Sequence, residues 1–274
     1  MRIAVVALIL GMTGSVHADP GTAPALIGHR GLLRDAPENT LGSFNACIDL
    51  GLGFELDVRR TKDGFLIILH DEKVDRTTDG KGKIAELTLS EVQKLDAGRW
   101  FDPAFAGQRI PTLEAVFALV RERKANVLIA MDLKSDDPRY EPDIVALANK
   151  HQVLPQLVFI GRTIEEPAVR KKLRAADRAT NVCALAQTAK DLQAAIEDAD
   201  SNWVYSRYVP TAEEAEAIRK AGKKLFLSGP PVNRHEPENY RKAKEIRADA
   251  ILTDFPLECR RLWREGKLDS DRKK

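Results

Sequence analysis

Two carboxylates alternate with apolar residues in the segment GFELDV, residues 53–58. Side chains alternate between the two faces of a strand, so Glu55 and Asp57 share one face and the apolar residues share the other. Neighbouring carboxylates repel each other unless a cation lies between them, and oxygen ligands suit a hard divalent ion, Ca2+ or Mg2+. The segment is equally consistent with a metal site and with the water-exposed acidic face of an edge strand.

The segment NVLIAMDLKSDD, residues 126–137, repeats this pattern. Its alternation places Asp132 and Lys134 on one face near the end of a predicted strand. Asp132 could supply a third metal-binding oxygen, and Lys134 could balance the charge or bind a phosphate. A simple ion pair between the two neighbours is the alternative.

Two histidines each end an apolar run, His29 in LIGHR and His70 in LIILHD. Histidine titrates near neutral pH, so a pair of histidines can act as general acid and general base. A single histidine at a strand end is more often a hydrogen-bonded structural residue, but two of them beside carboxylate-bearing strands favour catalysis. By contrast, His151 follows a predicted helix and His235 lies in a predicted loop, and neither position indicates catalysis.

The elements that must position these residues alternate along the chain. Apolar runs predict strands at residues 25–28 and 127–133, for example, and amphipathic stretches predict helices at 40–50 and 143–151. Eight such strand–helix units in about 250 residues predict an α/β fold with a parallel sheet, a (β/α)8 TIM barrel. A doubly wound open sheet is the alternative, but GHRGLL matches the glycine-rich phosphate turn of that fold poorly.

One stretch, residues 71–109, interrupts the alternation. It is long, polar and irregular, apart from a short helix opened by Thr88 and Glu91. Insertions of this size within a compact fold are usually functional caps or lids. Because it follows the second strand region, where barrel enzymes build their sites, we predict a small functional insertion there.

The N-terminal residues 1–18 have the features of a secretory signal peptide, with Arg2, a short apolar run and small residues before the cleavage site. We predict cleavage after Ala18, which leaves one domain, residues 19–274, in a secreted or periplasmic protein. A membrane anchor is the alternative, but the run is shorter than the roughly 20 apolar residues that span a bilayer. No later segment is long and apolar enough for a transmembrane helix.

Cleavage would lower the formal net charge from +2 to +1, because Arg2 is the charged residue removed. A near-neutral chain gives no indication of nucleic-acid binding, for which a strongly basic face is expected. The expected partner is therefore a small molecule.

The three cysteines, Cys47, Cys183 and Cys259, are far apart and lie among apolar residues. They are interpreted as buried small hydrophobes, although one pair could form a disulfide in an oxidising compartment.

A series of motifs occurs in a fixed order from residue 28 onward: GHRG, PENT, ELDVRRTKDG, LHDEKVDRTTDGKG, LDAGRWF, IPTLEAV, MDLK and ADAILTDFP. The series resembles the glycerophosphodiester phosphodiesterase family, and so many motifs at family spacing make the resemblance specific. It implies a (β/α)8 barrel with an insertion after the second strand region, a phosphodiester substrate and one divalent cation, Ca2+ or Mg2+.

The resemblance also implies roles for individual residues. The family's two catalytic histidines correspond to His29 and His70. Its metal-binding carboxylates correspond to Glu55, Asp57 and Asp132, although the family usually has glutamate at the last position.

Two cations complete the implied site, because a phosphate-binding arginine corresponds to Arg30 and a site-lining lysine to Lys134. Residues 227–229, Leu-Ser-Gly, depart from the tryptophan and asparagine that family members usually carry at the end of the seventh strand. The pocket for the alcohol groups is therefore expected to differ. Arg162 and Arg207, which follow the fourth and sixth predicted strands, are interpreted as pairing with local acids, with contact to an anionic substrate as the alternative.

The favoured hypothesis is a metal-dependent phosphodiesterase that hydrolyses glycerophosphodiesters to sn-glycerol 3-phosphate and an alcohol by general acid–base catalysis. A sphingomyelinase D-like or lysophospholipase D-like lyase that forms a cyclic phosphate is the alternative enzyme. A non-catalytic phosphodiester-binding protein is the alternative from another class. Retention of both histidines and all three carboxylates argues against that last interpretation.

Overall fold

The computed structural model describes residues 23–134, 137 and 139–271, and from residue 265 onward it describes the backbone alone. The signal peptide predicted for residues 1–18 lies outside the described residues. Within this part of the chain, every helix is too short or too polar to cross a membrane.

Parallel strands form a closed barrel. The strands are β1 (Ala25–Gly28), β2 (Gly53–Arg60), β3 (Leu66–Ile68), β4 (Ile129–Leu133), β5 (Leu157–Ile160), β6 (Asn181–Ala186), β7 (Trp203–Ser206), β8 (Lys224–Leu227) and β9 (Ala250–Thr253). β1 pairs in parallel with both β2 and β9, which closes a ring in the order β1-β2-β4-β5-β6-β7-β8-β9. β3 is an added strand that pairs antiparallel with the end of β2. The predicted (β/α)8 barrel is confirmed, and the open doubly wound sheet is wrong because the β1–β2 pairing joins the two ends of the eight-strand order into a ring.

Helices follow the barrel strands. They are α1 (Leu41–Asp49), α2 (Leu89–Val92), α3 (Leu113–Glu122), α4 (Tyr140–His151), α5 (Pro167–Ala176), α6 (Leu192–Glu197), α7 (Ala212–Lys220), α8 (Pro230–Asn233), α9 (Pro237–Glu245) and α10 (Pro256–Asp271). Side-chain caps begin several of them, because the first N–H groups of a helix have no partner within it. The Thr112 hydroxyl accepts a hydrogen bond from the Ala115 N–H at 3.0 Å, and Thr211 and Glu214 form a reciprocal capping box.

The packing of β2 fixes which of its faces points into the barrel. The Phe54 ring stacks on the Phe44 ring of α1, with centroids 4.5 Å apart, and Phe54 is fully buried. Since neighbouring side chains alternate, Glu55 and Asp57 point into the barrel. The register of β2 on β4 sets Asp57 beside Asp132. The carboxylates of the two strands therefore meet near the C-terminal mouth of the barrel.

The predicted insertion, residues 71–109, lies between β3 and α3 and contains α2. Together with its flanks it has a hydrophobic cluster of its own, formed by Ile67, Leu69, Val74, Ile84, Val92, Ala97 and Ile110. The Asp96 carboxylate accepts hydrogen bonds from the backbone N–H groups of Arg99, Gly107 and Gly98, which lower its pKa to about 2. The insertion is therefore a small packed lobe rather than an open loop.

All three cysteines are buried and unpaired. Burial raises the pKa of each thiol, to about 12 in the case of Cys47. Their interpretation as buried small hydrophobes is confirmed.

Candidate active site

Three carboxylates come together at the mouth of the barrel. Glu55, Asp57 and Asp132 each offer an oxygen atom, and these atoms all lie within 4.8 Å of one another. Glu55 and Asp57 are each 1% exposed, so water screens their charges weakly. The structure therefore brings together the three residues predicted as metal ligands, and the short Asp132 side chain still reaches the group.

The electrostatics of this trio are unbalanced. Burial and the neighbouring charges of Asp57 and Asp132 raise the pKa of Glu55 well above its usual value. Burial also raises the pKa of Asp132, against the opposing charge of Lys134. Burial acts in the same direction on Asp57, but the charges of Lys134 and Arg30 outweigh it and lower the pKa of that carboxyl. Ionising all three carboxyls together is therefore costly unless a further positive charge lies among them.

Two oxygen atoms of the trio have no hydrogen bond from any described residue. They are Asp132 Oδ1 and Asp57 Oδ1, both buried, and the Lys134 ammonium lies 3.2 Å from Asp57 Oδ1. A buried carboxylate oxygen without a donor is costly unless a cation satisfies it. Carboxylate oxygens in this arrangement fit a hard divalent ion such as Ca2+ or Mg2+.

The two predicted phosphate-binding cations border the trio. Arg30 has a φ of +54°, in the left-handed region. Its backbone N–H donates to Glu55 Oε2 at 2.8 Å, and its side-chain Nε lies 3.6 Å from Asp57 Oδ2. The Lys134 ammonium lies 2.5 Å from Asp132 Oδ2 and 3.2 Å from Asp57 Oδ1. Both cations therefore face the place where the carboxylates converge.

The two predicted catalytic histidines share one arrangement. Nδ1 of His29 lies 2.7 Å from Asp254 Oδ1, and Nδ1 of His70 lies 2.7 Å from Asp71 Oδ1. A carboxylate on Nδ1 orients the imidazole and leaves Nε2 for chemistry. Nε2 of neither ring has a hydrogen bond to a described residue. His29 adjoins Arg30, which contacts the trio, and His70 is close enough to Asp57 to affect its pKa, so both rings lie at the same mouth.

Asp254 and Asp71 had no role in the interpretation of the sequence. Asp254 lies in the motif ADAILTDFP at the end of β9, which pairs with β1, and this pairing places it beside His29. Asp71 directly follows His70 in LHD. A carboxylate adjacent to a candidate catalytic histidine is a signal that the sequence offered, whereas the contact between His29 and Asp254 spans 225 residues.

Arg76, a residue of the insertion, links the side of the site that contains His70 to the side that contains His29. Its guanidinium donates to both Glu38 oxygens at 2.8 Å and to Asp71 Oδ2 at 2.6 Å. Glu38 in turn accepts from the Arg30 guanidinium at 2.9 Å. Asn39, next to Glu38 in the PENT motif, donates to Asp57 Oδ2 at 2.8 Å. The sequence showed the motifs that contain Arg76, Glu38 and Asn39, but it did not show which residues these side chains contact.

Two arginines follow other strands of the barrel, Arg162 after β5, next to the strand of Asp132, and Arg207 after β7, across the mouth. The described residues supply neither arginine side chain with a hydrogen bond or an ion pair, and contact with an anionic substrate, the alternative, stays a prediction. Below them, the buried Tyr205 hydroxyl donates to Ser228 Oγ at 2.9 Å. A cavity of about 590 Å³ lies at the start of α10 and is lined by His235, Phe255, Leu257, Glu258 and Arg261.

Comparison with known proteins gives a consistent result. The model of the glycerophosphoryl diester phosphodiesterase family matches residues 29–258. A glycerophosphodiester phosphodiesterase of Caldanaerobacter subterraneus subsp. tengcongensis is 32% identical over 251 residues, which cover 88% of this chain and 98% of that protein.

Solved structures share the fold. A glycerophosphodiester phosphodiesterase from Agrobacterium tumefaciens superposes with a TM-score of 0.72 at 27% identity, covering 85% of this chain and 97% of that one. An Oleispira antarctica phosphodiesterase, solved in complex with the product sn-glycerol-3-phosphate, superposes with a TM-score of 0.72 at 23% identity, covering 88% of this chain and 96% of that one.

The family match begins at His29 and extends past Asp254, so it includes every residue of the candidate site described above. The enzyme class predicted from the sequence, phosphoric diester hydrolase, is confirmed by this match and by the relatives' activity. The chain belongs to the glycerophosphoryl diester phosphodiesterase family.

Proposed function

We propose that this chain hydrolyses glycerophosphodiesters to sn-glycerol 3-phosphate and an alcohol. The observation that supports this most directly is the convergence of two histidine–carboxylate pairs, His29–Asp254 and His70–Asp71, on one buried carboxylate trio. A binding protein would not need two imidazoles whose Nε2 atoms have no hydrogen bond to a described residue.

Glu55, Asp57 and Asp132 would hold one divalent cation, Ca2+ or Mg2+. When bound, the ion supplies Lewis-acid stabilisation of negative charge on the phosphate oxygens. Arg30 and Lys134 border the trio, and with an ion bound their charges would be available to the phosphate. Fixed cations at this point favour the transition state because its charge gathers on those oxygens.

The two imidazoles would move the protons. One takes the proton from the attacking oxygen, and the other protonates the departing alcohol through its Nε2 atom. Asp254 and Asp71 hold the rings by Nδ1, so neither ring needs to reorient as the reaction proceeds. The attacking oxygen belongs to water in the proposed hydrolysis, and to a neighbouring substrate hydroxyl in the alternative lyase, which forms a cyclic phosphate.

The test is a panel of glycerophosphodiesters and lysolipids, each incubated with Ca2+, with Mg2+ and with chelator. Phosphorus NMR in 18O-labelled water identifies the products. We expect cation-dependent release of glycerol 3-phosphate carrying one 18O atom. A persistent cyclic phosphate would indicate the lyase instead, and diester binding without turnover under any condition would indicate a binding protein.

A further inference from the structure

Arg207 lies across the barrel mouth from the carboxylate trio. In the closed ring of strands, β7 is four strands from β2 in either direction. The Arg207 N–H donates to Ala186 O at 3.0 Å, which continues the β6–β7 ladder past the end of β7 and brings the residue to the rim. The hydroxyl of the buried Tyr205 is close enough to Arg207, Asp132 and Glu55 for the charges of all three to affect its pKa. Arg207 and the trio therefore face one interior.

The Arg207 guanidinium packs against the backbone of the loop that follows β8. Gly229, directly after Ser228, has a φ of +83°, a conformation that side chains other than glycine rarely adopt. A Cβ atom at position 229 would lie 3.2 Å from Arg207 Cζ. Glycine at this position thus lets the guanidinium pack on the loop that follows β8. This is the stretch in which the sequence departs from the family pattern.

The partly buried guanidinium has no acidic partner among the described residues. Partly desolvated arginines normally pair with a carboxylate or phosphate, whose planar or tetrahedral oxygens match the guanidinium donors. A diester whose reacting phosphate lies at the trio has two arms, and an arm that crosses the mouth meets Arg207. An anion on that arm would supply the partner that the protein does not.

We propose that Arg207 binds a second phosphate, carried by an arm of the diester substrate remote from the phosphate that is cleaved. The preferred substrates are then diesters with two phosphates, in which a glycerol separates the reacting group from the second anion. This inference rests on the proposed function, since it names the substrate class of the same site.

The experiment compares two substrates that differ by one arm, glycerophosphoglycerol and bis(glycerophospho)glycerol. The kcat/KM ratio of the second to the first is measured at constant ionic strength and corrected for the number of cleavable bonds. In Arg207→Gln we expect this ratio to fall about tenfold, mainly through KM, because a charge-assisted contact to the remote phosphate is lost. Arg207→Lys should retain part of the preference.

Arg162→Gln is the matched control, because Arg162 is an exposed arginine on the same rim and its loss should leave the ratio near the wild-type value. An unchanged ratio in Arg207→Gln would overturn the inference. An equal fall in Arg162→Gln would also overturn it, since the effect would then come from the general charge of the rim. Turnover of glycerophosphoglycerol without this dependence leaves the proposed function standing, whereas no turnover of either substrate overturns both.

Discussion

Each candidate catalytic histidine binds a carboxylate through Nδ1, but the two carboxylates differ in their surroundings. Asp71 also accepts from Arg76, and this hydrogen bond lowers the pKa of Asp71 far below its usual value, against the effect of partial burial. No lysine or arginine among the described residues forms an ion pair with Asp254. The carboxylate that holds His70 therefore also binds an arginine, whereas the carboxylate that holds His29 binds none among the described residues.

The histidines are tested by truncation. We expect His29→Ala and His70→Ala each to lower kcat by about 10²- to 10⁴-fold, because each removes a proton-transferring group while leaving the carboxylate trio in place. His151→Ala is the control, since His151 lies at the end of α4 near Glu114 and away from the mouth. Circular dichroism checks folding, and a near wild-type rate in either variant would contradict the assigned role.

Without a bound metal ion, the carboxylate trio makes the stability of the folded protein depend on pH. The folded state raises the pKa of Glu55 above its ordinary 4.5, so it holds that proton more tightly than the unfolded chain does. The stabilising contribution is therefore present below the ordinary pKa and is lost as the pH rises through the raised value. In chelator, we expect wild type to lose thermal stability relative to Glu55→Gln as the pH rises from 5 to 8.

A bound cation should reverse this difference in thermal stability between wild type and Glu55→Gln. Ligand that binds only the folded state stabilises it by about 2.7 kcal/mol at 100 times Kd. Adding Ca2+ or Mg2+ at neutral pH should raise the Tm of wild type clearly more than that of Glu55→Gln. Equal metal-induced shifts in the two proteins would contradict the assignment of Glu55 as a ligand.

Loops after the strands hold the site together at the scale of elements. The β1–α1 loop supplies Glu38, which joins Arg30 to Arg76 of the insertion. The turn after β5 brings Gly161 against Asp132, and a Cβ atom at that position would lie 2.0 Å from Asp132 Oδ1. These contacts come from separate loops, so the site depends on the path of each.

The turn after β5 offers a direct test. Gly161→Ala places a methyl group where the Asp132 carboxylate lies, and we expect metal affinity to fall about tenfold or more as that ligand is displaced. Gly222→Ala is the matched control, because its φ of +73° is also positive but nothing lies within 4 Å of the added Cβ. Calorimetric titration with Ca2+ measures both. Similar affinities in the two variants would contradict the positioning of Asp132 by this turn.

At the scale of the whole molecule, the parallel barrel explains why distant residues share one site. All eight barrel strands run in the same direction, so the residues that follow them meet at the C-terminal end. The other end holds structural contacts. There the buried Lys223 ammonium donates to Asp198 O and Ser201 Oγ at 2.6 and 2.7 Å, just before β8.

Export is a prediction from residues 1–18 of the sequence. Cleavage after Ala18 would leave Asp19 as the first residue of the mature protein, because the n-region, apolar run and small residues before the site fit a signal peptidase substrate. Mass spectrometry of the protein recovered from the periplasm or medium of a bacterial host measures its N-terminus. An intact chain that begins at Met1 and stays in the cytosol would contradict the prediction.

The sequence by itself determined the features that depend on neighbouring residues. Alternation placed Glu55 with Asp57 and Asp132 with Lys134, because side-chain direction along a strand repeats every two residues. The start of α2 at Thr88 and Glu91 was recognisable as well, because a capping box depends on residues only three positions apart. The ends of two apolar runs singled out His29 and His70, and the order of motifs then indicated the family.

Only the tertiary structure decided which residues from distant segments meet. The bond of His29 to Asp254 and the link of Arg76 to Glu38 depend on barrel closure and loop paths, which no local pattern encodes. Arg207 was predicted to pair with a nearby acid, yet it lies against Gly229 without one among the described residues. Contacts of this kind are set by the register and curvature of the whole sheet, so they follow from the folded chain and not from residue types or spacing.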